Sequence, residues 1–283
     1  MSAWLQPEPQ QWWHVVEDAL GEDVGSGDIT GAALPPDHHI RWRIEAQADG
    51  IVCGLGIAEF LFAPPMDDPR ARIETKASDG DAIQRGQVLI HGVAPARQVL
   101  MSERTALNFM MHLSGVATLT REFVERVKGT NAKIVDTRKT IPMLRALQKY
   151  AVRCGGGHNH RMGLYDGVML KDNHIASHGG IKPAIAAVRS YASHMLKIEV
   201  ECETLEQVRE AVEAGADIVM LDNMDPFMMR EAVKLYGNSV LLEASGGISL
   251  DTVRGVAQTG VHLISVGAIT HSATGLAMHL ELS

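Results

Sequence analysis

Residues 197–222 read KIEVECETLEQVREAVEAGADIVMLD and contain a strand, a helix and a second strand in that order. The two β-prone runs, at 197–201 and 218–222, are separated by a helical stretch at 204–214. Parallel strands need a crossover of this length, because a tight turn can join only antiparallel strands. The stretch therefore predicts one βα unit of a parallel sheet.

The same unit recurs on both sides of this stretch. Strands are predicted at 133–136, 168–171, 197–201, 218–222, 240–244 and 263–266, and helices at 142–154, 182–194, 204–214, 226–236 and 250–258. Successive strands begin about 21 to 35 residues apart, which is the length of a βα unit. The second half of the chain is thus predicted to form one repeated α/β structure.

Polar residues at the ends of these strands favour a barrel over an open sheet. They are Asp136, Arg138, Lys171, Asp172, Glu199, Glu201, Asp222, Ser245 and Gly267. In a βα barrel the active site lies at the rim formed by the C-terminal strand ends. An open doubly wound sheet usually concentrates its chemistry at one switch point. We therefore predict a barrel, which need not have eight strands because six can be counted.

The first hundred residues have a different pattern. Short β-prone runs at 41–46, 50–53, 71–77 and 88–93 are separated by turn-rich segments. Helical periodicity follows over 98–127, with a second helical run at 118–128. This half is predicted to be a small sheet-rich domain, with helices that cover the sheet or lead to the next unit.

The composition excludes several classes of protein. Apolar residues make up 46% of the 283 residues and charged residues 21%, which are ordinary values for a globular chain. The net charge is −8, so no nucleic-acid partner is expected. No apolar run approaches the roughly 18 residues of a membrane span, and residues 1–11 lack the pattern of a signal peptide. Three widely spaced cysteines suit reduced thiols. We expect a cytoplasmic protein with no membrane partner.

Two glycine-containing segments follow the last two predicted strands. They read ASGGIS at 244–249 and SVGAIT at 265–270. Glycines at such junctions let backbone N–H groups approach an anion, and barrels often bind phosphate with these two loops. The alternative is that the glycines only form tight turns. Two consecutive loops of this kind favour phosphate binding.

Basic residues are concentrated between Asp136 and His174. Seven lysines and arginines oppose three acids there, a local balance of +4 (7 − 3) within a chain of net charge −8. The basic residues are Arg138, Lys139, Arg145, Lys149, Arg153, Arg161 and Lys171. Helical spacing predicts a solvated helix face for Arg145, Lys149 and Arg153. Arg138, Lys139 and Lys171 instead stand at strand ends. The cluster predicts a site for anionic small molecules.

Glu201 and Asp222 each end a predicted strand, opposite the basic cluster. Mg2+ commonly takes one or two carboxylates together with substrate phosphates, so these two residues are candidate ligands for Mg2+. The alternative is internal salt bridging to the lysines. Cys154, His158 and His160 lie near one another in sequence, but structural zinc usually needs four ligands. The pattern favours His160 as a hydrogen-bond donor to an anion.

Long motifs make this sequence resemble a known family. They are ALGEDVGSGDIT at 19–30, ERTALNF at 103–109, LSGVAT at 113–118, DTRKTIP at 136–142, KYAVRCGGGHNHR at 149–161, GLYD at 163–166, LKDNH at 170–174 and LDN at 221–223. The resemblance is to quinolinate phosphoribosyltransferase, also called nicotinate-nucleotide pyrophosphorylase (carboxylating). It runs nearly end to end and covers charged residues that packing alone does not require.

The resemblance implies a type II phosphoribosyltransferase. Its N-terminal α/β sandwich would span residues 1–115, joined by the C-terminal tail 271–283, and its incomplete α/β barrel would span 116–270. The implied reaction transfers phosphoribosyl from phosphoribosyl pyrophosphate to quinolinate with decarboxylation, which yields nicotinate mononucleotide, CO2 and pyrophosphate in NAD biosynthesis. Mg2+ is the implied cofactor. The implied assembly is a homodimer with shared active sites, and higher assembly stays open.

The resemblance also implies a role for individual residues. Arg104 would reach into the site of the neighbouring chain. Arg138, Lys139, His160, Arg161 and Lys171 would bind quinolinate. Glu201 and Asp222 would lie beside the ribose and Mg2+, and we expect these two acids and Lys139 to act in catalysis. Ser245, Gly246, Gly247, Gly267 and His271 would bind the 5-phosphate. Thr137, Ser265 and Val266 are further expected substrate-binding residues. One departure is Met143, where the family usually has glycine, so a different geometry is expected for that turn.

Two other functions remain open. A molybdenum-transport-associated pyrophosphorylase-like protein or a nicotinate phosphoribosyltransferase could share the barrel, although the doubled set of basic residues favours a dicarboxylate acceptor. Residues 78–89, SDGDAIQRGQVL, resemble turns of lipoyl and biotinyl carrier domains. No lysine stands at the tip of such a hairpin, since Lys76 precedes this stretch. The absence of that lysine argues against a carrier domain.

Overall fold

The computed structural model describes residues 7–63 and 68–282, and the chain divides into two compact units. The first unit comprises residues up to Arg121, Thr140–Gly156 and the segment from Ile269 onward, and the second comprises Glu122–Lys139 and Gly157–Ala268. Residues 1–6 and 64–67 of the predicted N-terminal domain and residue 283 of the predicted tail lie outside the described residues. No helix in the described ranges combines the length and the hydropathy needed to cross a membrane.

The first unit is built on antiparallel strands. They are β1 (His39–Ala46), β2 (Gly50–Ile51), β3 (Arg72–Thr75), β4 (Ala82–Ile83), β5 (Val88–Pro95) and, from the end of the chain, β12 (Met278–Leu282). A four-stranded sheet has the order β12-β1-β5-β3, and β2 pairs with β4. Along β1, Trp42 and Ile44 are buried while Arg41 and Arg43 face outward, because successive strand residues point to opposite faces. Trp42 packs on Phe62 with ring centroids 4.4 Å apart.

Several helices lie wholly or mainly in the first unit. They are α1 (Trp13–Val24), α2 (Leu55–Leu61), α3 (Ala96–Val127), α4 (Arg145–Cys154) and the short α10 (Ala268–His271). The two helical runs predicted over 98–128 are one continuous helix, α3, of 32 residues. The boundary predicted after residue 115 lies within this helix. Gly115 does not break α3, and a side chain there would place its Cβ 2.1 Å from the carbonyl oxygen of Thr274.

Helix α4 begins later than predicted. The sequence places its start at Pro142, but Met143 has a φ of 67°, a left-handed conformation that a helix cannot include. Lys149 is only 1% exposed, so the prediction of a solvated helix face is wrong for this residue.

The second unit is a single parallel sheet with helices between its strands. The strands are β6 (Lys133–Val135), β7 (Val168–Leu170), β8 (Ile198–Cys202), β9 (Ile218–Asp222), β10 (Leu241–Ser245) and β11 (Leu263–Ser265), and the helices are α5 (Asp172–Ser177), α6 (Ile181–Arg189), α7 (Leu205–Glu213), α8 (Pro226–Tyr236) and α9 (Val253–Ala257). All six predicted strands are present. Helix α5 was not predicted.

The strand order is β6-β11-β10-β9-β8-β7. The first strand of the unit pairs with the last, β6 with β11, as closure of a barrel requires. The two edges of the sheet are β6 and β7, which are consecutive in sequence, so the barrel is incomplete at that point. The predicted fold class, an N-terminal α/β domain followed by an incomplete α/β barrel, is confirmed.

Replacing Gly115 by alanine should destabilise the protein, because the new Cβ would meet the backbone of Thr274. Overpacking of this kind typically costs about 1–3 kcal/mol, whereas alanine gains roughly 1 kcal/mol over glycine in a helix. A contact of 2.1 Å with a backbone atom places Gly115→Ala toward the upper end of that cost. Gly56 is the matched control, because it lies in α2 and a Cβ added there would have no atom within 4 Å. Urea unfolding of Gly115→Ala and Gly56→Ala tests this expectation. A free energy of unfolding for Gly115→Ala that equals or exceeds that of the wild type would contradict the expectation.

Candidate active site

A cavity of about 590 Å3 lies at the C-terminal ends of the parallel strands of the second unit. Its lining is formed by Thr137, Arg138, Lys139, His160, Arg161, Met169, Lys171, Glu201, Met220, Asp222, Asn223, Glu243, Ser245, Gly246, Gly247 and Ser265. Most of the predicted site residues are therefore brought together at one rim, where α/β barrels carry their active sites.

Alternation along the strands selects the residues that reach the cavity. Along β9 and β10 the lining residues are Met220, Asp222, Glu243 and Ser245, and each pair is two positions apart. The intervening residues, Leu221 and Ala244, are fully buried on the other side of the sheet. The period of two is the property of an extended strand. It allows polar groups to face the cavity from strands whose other face is apolar.

Arginine and lysine side chains give the cavity its positive charge. Arg138 and Lys139 follow β6 in a turn in which the backbone N–H of Lys139 donates to Oγ1 of Thr137 at 3.0 Å. Arg161 donates from Nη1 to the carbonyl oxygen of Gly167 at 3.0 Å. Its Nε is buried and has no hydrogen-bond partner among the described residues.

The environment of the Arg161 guanidinium leaves its charge incompletely compensated. Burial, followed by the charge of Arg138, lowers the pKa of Arg161. An arginine nevertheless stays protonated in proteins. The lowered pKa therefore means that the charged Arg161 side chain lies in surroundings that disfavour a positive charge. A planar guanidinium of this kind suits a carboxylate or phosphate group of a ligand.

Carboxylates oppose these cations on neighbouring strands. The Lys171 ammonium forms an ion pair with Glu201 of β8. Asp222, at the end of β9, accepts a hydrogen bond from Nδ2 of Asn223 at 2.8 Å. The salt-bridge alternative is thus observed for Glu201.

A second group of acids lies deeper. Nε2 of His160 is 2.8 Å from a carboxylate oxygen of Glu199 and 3.8 Å from one of Glu243. Both glutamates are at most 3% exposed. Asp136, which is fully buried, accepts the backbone N–H of His160 at 2.9 Å. Burial, reinforced by the charge of Glu199, raises the pKa of Glu243 to about 8.

The glycine loop after β10 forms part of the cavity wall. Gly246 has a φ of 98°, and its Cβ would lie 2.2 Å from Oδ1 of Asn223. Gly247 has a φ of 58°. Both conformations favour glycine, which leaves the backbone open to a ligand. Helix α9 begins only at Val253, later than the predicted start at residue 250. The loop itself therefore lines the cavity.

Four predicted site residues do not line the cavity. Val266 is 1% exposed, and its backbone N–H donates to the carbonyl oxygen of Val135 at 3.0 Å. Gly267 follows it in the chain. Arg104, on α3, and His271, on α10, belong to the first unit, and both are exposed. Their expected contacts with substrate stay predictions.

Sequence reasoning missed Met169, Met220, Asn223 and Glu243 as lining residues. The sequence signal for Glu243 is that it is a single acid in an otherwise apolar strand. The signal for Asn223 is its position directly after Asp222. Cys154 lies in the first unit, where its Sγ is 3.7 Å from that of Cys53. The described residues contain two groups of three potential metal ligands, and neither includes Cys154.

An incomplete α/β barrel whose rim joins basic side chains, acids and a glycine loop defines an enzyme that binds phosphorylated or otherwise anionic substrates. The family models for the N-terminal and C-terminal domains of quinolinate phosphoribosyl transferase match residues 28–114 and 116–281. The chain belongs to the quinolinate phosphoribosyltransferase family, as the sequence resemblance predicted.

Individual relatives agree with this assignment. A probable nicotinate-nucleotide pyrophosphorylase (carboxylating) of Bacillus subtilis strain 168 is 44% identical over 262 residues, covering 93% of this chain and 90% of the relative. A nicotinate-nucleotide pyrophosphorylase (carboxylating) of Mycobacterium leprae is 41% identical, with coverage of 94% and 95%. The solved structure of the nicotinate-nucleotide pyrophosphorylase from Francisella tularensis matches with a TM-score of 0.94 at 36% identity, over 100% of both chains.

Proposed function

We propose that the cavity is the active site of a decarboxylating quinolinate phosphoribosyltransferase. The reaction joins phosphoribosyl pyrophosphate and quinolinate to give nicotinate mononucleotide, pyrophosphate and CO2. The names of the relatives carry this reaction, and family membership confirms the predicted enzyme class. The observation that carries the assignment to this cavity is Arg161, whose buried Nε has no partner among the described residues and which stands beside Arg138 in the cavity wall.

The acceptor half of the site is assigned to the basic residues. Quinolinate carries two carboxylates on one pyridine ring, and it therefore needs more than one cationic partner. Arg138, Arg161 and Lys171 line the same cavity and supply such partners. A monocarboxylate acceptor such as nicotinate would leave part of this charge without a partner, which argues against the alternative of a nicotinate phosphoribosyltransferase.

The donor half is assigned to the opposite wall. Ser245, Gly246 and Gly247 offer backbone N–H groups and a hydroxyl to the 5-phosphate of phosphoribosyl pyrophosphate. Glu201 and Asp222 lie on adjacent strands, where their negative charge can stabilise the oxocarbenium character that develops on the ribose. The two substrates repel each other, so a main contribution of the site is to hold them in reacting positions. Such positioning can supply about 7–11 kcal/mol of barrier reduction.

The bonds change in two stages. The pyridine nitrogen bonds to the anomeric carbon while the carbon–oxygen bond to pyrophosphate breaks, and its electron pair leaves with pyrophosphate. The bond between the ring carbon and the adjacent carboxylate then breaks, its electron pair stays on the quaternised ring, and the carboxylate leaves as CO2. The ring carbon must finally take up a proton. We assign Lys139, which lines the cavity, as the residue that assists decarboxylation or this protonation.

The residues present fit Mg2+, which we propose as the cofactor. Glu201 and Asp222 offer the hard carboxylate oxygens that Mg2+ prefers, and they face a cavity suited to substrate phosphates. When bound, Mg2+ would neutralise charge on the departing pyrophosphate. Binding there would compete with Lys171 for Glu201. The cytoplasmic location and the absence of a nucleic-acid partner stay predictions from the sequence.

We further propose that the protein is a homodimer with shared active sites. Support comes from Arg104, an exposed arginine in the first unit within a motif of the family. An exposed basic residue in a family motif is explained if it completes the anion site of the neighbouring chain. Higher assembly is not part of the proposal.

Replacing Arg161 by lysine should weaken quinolinate binding, because lysine keeps the charge but loses the planar set of donors. Loss of a charge-assisted hydrogen bond corresponds to about 1.5–3 kcal/mol, or roughly a 10- to 100-fold rise in KM for quinolinate. Arg209→Lys is the control, since Arg209 is exposed on α7 outside the cavity. Steady-state kinetics measure both variants. A KM for Arg161→Lys within twofold of the wild type would refute the role.

Activity should be lost on chelation and restored by Mg2+, and Glu201→Gln should bind Mg2+ more weakly while losing turnover. We expect the variant's kcat to fall more than its affinity for quinolinate, because the carboxylate acts on the ribose and not on the acceptor. Kinetics with varied Mg2+ and calorimetry with quinolinate measure the two effects. Glu203→Gln, an exposed neighbour, is the control. A larger loss of quinolinate affinity than of kcat would argue against this assignment.

Mixing two inactive variants tests the shared site. If Arg104 acts on the partner's cavity, dimers that combine Arg104→Ala with Arg161→Ala contain one intact site. Subunit exchange at equal concentrations should then recover about a quarter of wild-type activity. The activity is measured before and after exchange, with sedimentation to verify that dimers are present. Failure to recover activity in verified mixed dimers would exclude a shared site.

A further inference from the structure

Two buried glutamates beneath the basic residues take no part in the mechanism above. Glu199 lies on β8 and Glu243 on β10, and both are near His160. One ligand-type atom from each of these three residues lies within 4.8 Å of the other two. Carboxylates are rarely fully buried unless they are paired. Their position at the base of a site for anionic substrates therefore needs a physical reason.

Hydrogen bonds fix the orientation of the His160 ring. Its Nδ1 accepts the backbone N–H of Arg161 at 2.8 Å. The hydrogen of a neutral imidazole must then reside on Nε2, which faces Glu199 at 2.8 Å and can donate to it. The histidine thus links the backbone of Arg161 to a buried carboxylate. Glu199 therefore influences the substrate indirectly: it orients His160, and His160 holds the backbone of Arg161 in place.

Charge limits how the second glutamate can be accommodated. Nε2 of His160 carries one hydrogen, which is directed to Glu199, while Glu243 is farther away at 3.8 Å. Each glutamate also has one buried oxygen, its Oε1, with no hydrogen-bond partner among the described residues. Two ionised carboxylates that face one histidine in a buried site repel each other strongly. The free energy of this arrangement is lowest when one of the two carboxylates is protonated.

The surroundings of Glu243 identify it as that group. Glu199 faces it from β8, His160 and Asp136 from the segments after β6, and Ser265 from β11. Burial and then the charge of Glu199 raise the pKa of Glu243 to about 8, against the opposing effects of His160 and Ser265. Met220, its register partner on β9, is apolar and adds no charge.

We propose that Glu199 and Glu243 are positioning residues for the acceptor half of the site, with Glu199 accepting the Nε2–H of His160 and Glu243 held beside that pair as a neutral acid. The inference rests on the proposed function, because a neutral Glu243 favours binding only if the acceptor is an anion such as a dicarboxylate. An ionised Glu243 would add negative charge to the cavity wall at which the acceptor carboxylates bind. It would also compete with Glu199 for the hydrogen of His160.

The kinetic test compares the wild type with Glu243→Gln, which is neutral at every pH, between pH 6 and 9. In the wild type, KM for quinolinate should rise as Glu243 ionises, to about tenfold at one unit above the pKa, with a much smaller change in kcat. In Glu243→Gln this rise should be absent, and Glu203→Gln should follow the wild type. An identical rise in Glu243→Gln, or a variant crippled equally at every pH, would overturn the inference.

A second measurement does not depend on turnover. In 15N-histidine NMR of the full protein without substrate, the His160 signal, assigned with His160→Gln, should show hydrogen on Nε2 and a bare Nδ1. It should shift with a midpoint near pH 8 in the wild type, but not in Glu243→Gln. A hydrogen on Nδ1, or the same shift in both proteins, would overturn the inference. If these signals behave as expected while quinolinate is not consumed, the proposed function fails and the proton placement stands.

Discussion

The placement of the functional side chains on β8, β9 and β10 depends on strand alternation combined with parallel register. Glu201 of β8 and Glu243 of β10 both pair with Met220 of β9, so these three lie at one level, and Asp222 and Ser245 pair at the next. A register slip of one residue would turn these groups toward the helices and bring leucine and alanine into the cavity. The apolar packing of the outer face therefore fixes the chemistry of the inner face.

Charge in the cavity is balanced unevenly. Lys171 has Glu201 as a partner, and His160 has Glu199, but the buried Nε of Arg161 has none among the described residues. A buried donor without a partner costs about 1–3 kcal/mol in the free protein. Burial and the charge of Arg138 both disfavour the Arg161 cation. A negative charge bound in the cavity would therefore offset an unfavourable electrostatic environment already present in the folded chain.

Sequence reasoning was strongest where the physical signal is local. All six parallel strands, most of the crossover helices and most of the cavity lining follow from periodicity, from polar residues at strand ends and from the family motifs. It failed where the outcome depends on distant groups. Nothing near Lys149 indicates burial, and Glu243 stands alone in an apolar run with its partners on other strands. Strand β4 was missed because it has only two residues. Strand β12 was missed because it depends on a partner more than two hundred positions earlier in the chain.

The edge strand β12 has a consequence for biosynthesis. Its residues Met278–Leu282 pair with β1, more than two hundred positions earlier in the chain. A ribosome delivers the N-terminal end first, so β1 emerges with one of its edges exposed and stays so until the last strand is made. An open edge of this kind can pair with other nascent chains. The sheet of the first unit therefore begins to form early in synthesis but gains its fourth strand only after β12 has emerged, and β1 keeps an unpaired edge in the interval.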